Sequence, residues 1–129
     1  KLDKLIEMRR NNAKFLSDRL QKFKEIQTPN EPSGYKHIYQ MYTIRLSNSI
    51  LRDKLHKFLI DKRIFSKVYF NPIHKTEFYQ QKSSSQNNSL HITEKIANEV
   101  LTIPLYPNMT NEEKNYLIDA FNEFFEKIN

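Results

Sequence analysis

Cysteine is absent from this chain of 129 residues, which excludes disulfides, thiolate zinc sites and thiol redox chemistry while leaving the compartment open. Glycine occurs once, so a glycine-rich phosphate cradle has no raw material. No apolar run approaches the roughly 18 residues that cross a bilayer, and the opening KLDKLIEMRR is a charged helical pattern rather than a secretory leader. The expectation is a soluble, cytoplasmic single domain over residues 1–129, with no membrane partner. The amphipathic pattern is already under way at Leu2 and no Met precedes it, so the chain is expected to be part of something longer.

Charge is plentiful but uneven. The net charge is +6, with 18 Lys and Arg against 8 Asp and Glu in residues 1–82, and 3 against 7 thereafter. The first two-thirds would attract an anion such as nucleic acid, an anionic surface, a phosphorylated metabolite or an acidic partner. The plainer reading is a set of solvated helix faces.

Apolar residues at Leu2, Leu5, Ile6, Ala13, Leu16, Leu20 and Phe23 recur at three- and four-residue steps and predict one long helix over 2–23. TPNEPSG (28–34) ends it with two prolines and the glycine. YKHIYQMYTIRL (35–46) reads as a central strand with Ile38, Tyr42, Ile44 and Leu46 on one side, Tyr39, Met41 and Thr43 on the other, and both sides covered. A second helix follows Ser and Asn at 47–49, then a strand over 64–70 that Pro72 ends. Residues 80–89, QQKSSSQNNS, carry no apolar side chain and are expected to be a flexible loop. TEKIANEV predicts a short helix, and LTIPLYP a third strand or extended segment. Thr110 with Glu113 has the spacing of a capping box, opening a helix whose stripe is Leu117, Ile118, Phe121, Phe124, Phe125 and Ile128. The order α-β-α-β-α-β-α fits an α+β sandwich with a small three-stranded sheet covered by helices.

Catalytic sets are missing from the pattern. His37, His56, His74 and His91 have no HxxxH spacing and no helical carboxylate partner, so a metal site is not expected, and His56 is expected in solvent. No lysine stands alone in an apolar run where desolvation would make it a Schiff-base amine. The chain on its own is therefore not expected to be an enzyme. KVYFNPIHKTEFY (67–79) gathers five aromatic or imidazole side chains around Asn71-Pro72. A loop at a strand end can aim polar groups at a ligand, with Tyr69 and His74 each offering a hydrogen bond. Buried core aromatics beside a surface histidine would look the same.

Taken in order, YQMYTIRL (39–46), LRDKLHKFLIDKRI (51–64), VYFNPIH (68–74) and EKIANEVLTIPLYPNMTNEE (94–113) resemble the C-terminal small domain of the DegT/DnrJ/StrS sugar aminotransferases, with VLTIPLYPNMTNEE the most specific element. KLDKLIEMRRNNAKFLSDRL resembles the long helix that leaves the large domain in that family. The resemblance implies a mainly antiparallel sheet from a fold-type-I enzyme dependent on pyridoxal phosphate. Such an enzyme transfers an amino group to a keto-sugar on a nucleotide diphosphate and works as a homodimer. It implies that the Schiff-base lysine and the cofactor belong to a large N-terminal domain outside this chain, leaving the isolated chain inactive and without cofactor. It also implies substrate-side roles for His74, on the motif histidine, and for Tyr69, Asn71 and Gln40, with Tyr69 and Gln40 standing where the family often has His. Arg63 stands where the family usually has Gly. Relatives with His in place of the lysine act as dehydratases, a choice made outside this chain.

The alternative is a stand-alone basic α+β module for nucleic acid or an acidic protein. IYQMYTI lacks the interleaved Lys and Arg that a strand-binding sheet uses, so nucleic acid is the weaker expectation.

Overall fold

A computed structural model describes residues 1–69, 71–82 and 90–128. Its elements are α1 (Leu2–Leu20), β1 (Ile26–Gln27), β2 (Tyr42–Leu46), α2 (Ser49–Asp61), α3 (Glu77–Lys82), α4 (His91–Glu99), β3 (Val100–Ile103) and α5 (Asn111–Ile128). The strands form one antiparallel sheet in the order β1-β2-β3, with Tyr42 opposite Ile103 and Ile44 opposite Leu101. The expected α+β class, the central place of β2 and the long first helix are all present.

The alternation in β2 buries Tyr42, Ile44 and Leu46 on one face, where Leu101 and Ile103 join them. Ala13, Leu16 and Leu20 of α1 and the stripe Leu117, Ile118, Phe121, Phe124 and Phe125 of α5 complete this core. Phe23 stacks on Phe125 with ring centroids 4.4 Å apart. The helix nevertheless stops at Leu20, because the chain turns through 21–25 to enter β1, so the last apolar position serves the core from a turn. At the far end of α5, Ile128 leaves the stripe and is exposed. The capping box forms in both directions: Glu113 N donates to Thr110 Oγ1 at 3.1 Å, and Thr110 N to Glu113 Oε2 at 2.8 Å.

Only one face of the sheet is buried, against the expectation of two. The other carries Thr43, Arg45 and Thr102, half exposed, with Thr43 Oγ1 2.8 Å from Thr102 Oγ1. The strand over 35–46 is shortened to 42–46: Tyr39 adopts φ +48°, which breaks an extended run, and Ile38 and Met41 point to solvent. Of the strand expected over 64–70, the described residues 64–69 keep one bridge, Lys67 with Thr102, closed by two hydrogen bonds of 2.8 Å. A bond from Ser66 N to Ile64 O bends the chain before the ladder can extend. The third strand is instead β1, whose two residues are too few to show a period.

Arg63 takes φ +60°, the left-handed conformation that glycine adopts most easily. The turn leaving α2 is thus kept without the glycine, with Arg63 N bonded to Ile60 O and Ile64 N to Leu59 O, both at 2.8 Å. Of the loop expected over 80–89, Gln80–Lys82 are the end of α3 and residues 83–89 lie outside the described residues.

Candidate functional site

Past the Lys67 bridge the chain runs along the open edge of β3 and carries Tyr69 back towards the residues that precede β2. There Gln40, Met41, Phe65, Lys67, Tyr69 and Thr102 line a depression of about 190 Å³. The Lys67 ammonium lies 5.7 Å from the Tyr69 ring centroid, within cation–π range. The structure therefore brings together Gln40 and Tyr69, and adds Lys67, which the sequence pattern did not single out. A lysine flanking a strand carries no period or motif that would mark it.

Gln40 is placed by a clamp on α1. Arg10 reaches both oxygens of Glu31, with Nη2 to Oε1 at 2.8 Å, and also donates to His37 O at 2.7 Å. His37 N donates to Glu31 Oε2 at 2.6 Å, and Tyr39 N donates to His37 Nδ1 at 2.8 Å. The proline-rich segment is thus folded onto the helix, and the left-handed Tyr39 turns Gln40 towards Tyr69. The Arg10 guanidinium, and after it the His37 amide, hold the Glu31 carboxyl at about 2 rather than the usual 4.5. A depressed carboxyl stabilises the folded arrangement above its unfolded pKa and loses that contribution as pH falls through the folded value. The segment 35–41 is expected to loosen between about pH 4.5 and 2. Amide exchange at His37, whose N–H donates directly to Glu31, checks this, and protection unchanged at pH 2 would contradict it.

His74 and Asn71 do not line the depression. Asn71 is exposed. His74 sits on a single 3₁₀ turn, Ile73–Lys75, which Pro72 starts and Thr76 closes with its hydroxyl on Ile73 O. Its Nε2 lies 3.0 Å from Glu94 Oε1 on α4, while Lys75 Nζ lies 2.8 Å from Glu94 Oε2. Lys75 first, and His74 second, hold the Glu94 carboxyl below its ordinary range. This corrects the expectation that no histidine has a helical carboxylate partner. Twenty residues of sequence separate the two, and the stretch 80–89, without apolar side chains, carries no pattern that shows where the chain returns. His56 is corrected too: it is half-buried, with Nδ1 2.8 Å from Ser66 Oγ.

Two bonds fix α4 in turn. Arg45 pairs with the buried Glu99 at 2.7 Å, and buried Arg52, from the RDKL segment, donates to Val100 O at 3.2 Å. Among the described residues no group of three or more His, Asp or Glu could hold a metal ion, and no helix is long and apolar enough to cross a membrane.

A Schiff base to pyridoxal phosphate needs a lysine kept neutral by desolvation. No described lysine side chain is buried, and the buried polar residues, Asn12, Arg52, Ser66 and Glu99, are all engaged within the fold. Among the described residues there is no seat for that cofactor.

The model of the DegT/DnrJ/EryC1/StrS aminotransferase family matches residues 1–122. The chain belongs to this family. A pleiotropic regulatory protein of Geobacillus stearothermophilus is 30% identical over 127 residues, covering 96% of this chain and 33% of its own length. GDP-perosamine synthase of Escherichia coli O157:H7 is 27% identical over 100 residues, covering 78% of this chain and 26% of its own. The crystal structure of the aminotransferase TlmJ from Streptoalloteichus hindustanus shares the fold, with a TM-score of 0.87 at 21% identity over 98% of this chain and 33% of that one. The chain thus spans a third or less of the length of these proteins.

Proposed function

We propose that this chain is the small C-terminal domain of a cytoplasmic, homodimeric aminotransferase that uses pyridoxal phosphate to aminate a nucleotide-linked keto-sugar. The cofactor and its lysine belong to the remaining, larger part of the protein, and this domain alone carries out no transamination. Its contribution is to pack on the larger part and to supply substrate contacts from Tyr69, Asn71, His74 and Gln40, with Lys67 available to the diphosphate.

The observation that carries this reading is the meeting of Gln40, Lys67 and Tyr69 at one depression on the edge of β3, in a chain whose family model spans residues 1–122. An amide, a phenol and an ammonium suit a ligand that is hydroxyl-rich and anionic, and GDP-perosamine synthase is by name a nucleotide-sugar enzyme. His74, anchored one turn further along the same segment, extends the polar surface.

In the full-length protein, His74→Ala is expected to raise the KM for the nucleotide-sugar about tenfold, the loss of one charge-assisted or well-oriented hydrogen bond, while kcat changes less. Steady-state kinetics with the amino donor saturating measures both. Values of KM and kcat within about twofold of wild type would remove His74 from the substrate site.

A further inference from the structure

We propose that Glu94 is a positioning residue for His74: it fixes the imidazole with Nε2 as the proton-bearing nitrogen, so that Nδ1 is the acceptor offered to a sugar hydroxyl. This rests on the reading of His74 as a substrate contact and gives it a direction.

The geometry is specific. Each oxygen of one carboxylate has its own partner, Oε1 with His74 Nε2 at 3.0 Å and Oε2 with Lys75 Nζ at 2.8 Å. Rotating the carboxylate to free one would break the other. An ionised carboxylate only accepts hydrogen bonds, and the neighbouring ammonium keeps Glu94 ionised. In the neutral ring the opposite tautomer would set the Nε2 lone pair against a carboxylate oxygen at 3.0 Å, which is repulsive, so the neutral imidazole carries its proton on Nε2 and offers the Nδ1 lone pair. The anchor is also rigid. Glu94 stands on α4, whose end is tied to β2 by Arg45–Glu99 and to α2 by Arg52 on Val100 O. The position of the ring is therefore inherited from the sheet rather than from the 3₁₀ turn that carries it, as second partners of metal-bound histidines do.

Two measurements on the full-length protein test this. In a ¹⁵N-histidine-labelled sample, with His74 assigned by His74→Gln, its Nε2 proton is expected to be protected from exchange with water. Glu94→Ala should lose that protection, whereas Glu94→Gln, which keeps an acceptor, and Lys75→Ala, which removes only the ion pair, should retain it. In kinetics, Glu94→Ala is expected to raise the KM for the nucleotide-sugar roughly three- to tenfold, with Glu94→Gln within about twofold of wild type. Adding Glu94→Ala to His74→Ala should then raise KM no further, because a residue that acts only through another has nothing left to position. Full additivity of the two, or protection that survives Glu94→Ala, would overturn the assignment. Should His74→Ala itself leave KM unchanged, the substrate reading fails, and loss of exchange protection in Glu94→Ala still decides whether Glu94 holds the ring.

Discussion

Truncating Phe121 to alanine is expected to destabilise the fold by about 3–5 kcal/mol, the cost of removing a buried phenyl and leaving a cavity. Phe121 is 0% exposed at the middle of α5, the helix that packs on both α1 and α2. Its neighbours in the stripe are already committed: Phe124 meets Phe125 edge-on at 5.2 Å and Phe58 at 5.4 Å, and Phe125 stacks on Phe23. Rings held in such pairs cannot collapse into the void without giving up their own contacts. A domain of this size has roughly 5–15 kcal/mol in total, so the variant should lose a large part of its urea midpoint. Ile128→Ala, on the same helix but 45% exposed, is expected to change stability by about 0.5 kcal/mol or less. A Phe121→Ala loss under about 1 kcal/mol would show that α5 does not organise the core.

Replacing Arg45 with leucine should cost about 2–4 kcal/mol, because it strands the carboxylate of Glu99, 8% exposed, without its guanidinium. The lower part of the range is favoured, since the Arg45 side chain is itself 37% exposed and water reaches part of the pair. The double variant Arg45→Leu, Glu99→Leu should recover most of the loss, because the removal of both charges also removes the desolvation penalty. Denaturant titrations of the two singles and the double give the coupling directly. A loss below about 0.5 kcal/mol for Arg45→Leu would mean that solvent or Lys95, one turn before Glu99, satisfies the carboxylate. The consequence reaches His74, since this pair holds the last residue of α4, the helix whose first turn carries Glu94. On the role proposed for His74, Arg45→Leu in the full-length protein should therefore also raise the KM for the nucleotide-sugar, although α4 holds no residue of the depression.

Much of the architecture was legible in the residues. The three-and-four spacing of α1 and α5, the alternation of Tyr42, Ile44 and Leu46, and the Thr110–Glu113 box are local patterns, and each reports a local geometry. The motif order from YQMYTIRL to NMTNEE carried the family, because it joins several such segments in one register. Within the candidate site, Tyr69 follows from its strand-end loop as well as from that resemblance and Gln40 from the resemblance alone; the two lie together, while His74 and Asn71 lie outside the depression that they line. Lys67 and Glu94 were not named at all.

By itself the sequence determined helices α1, α2, α4 and α5, the core face of β2, the cap of α5 and the exclusion of cysteine chemistry, since all of these follow from residue type and from spacing within a turn or a strand. Tertiary structure alone decided that residues 35–41 fold onto α1 through Arg10 and Glu31, that β1 rather than 64–70 supplies the third strand, and that Arg63 does the work of a glycine. It also decided that His74 answers to a carboxylate 20 residues away. Those are pairings between segments that have no period in common, and they exist only once packing of the core has set the distance between them.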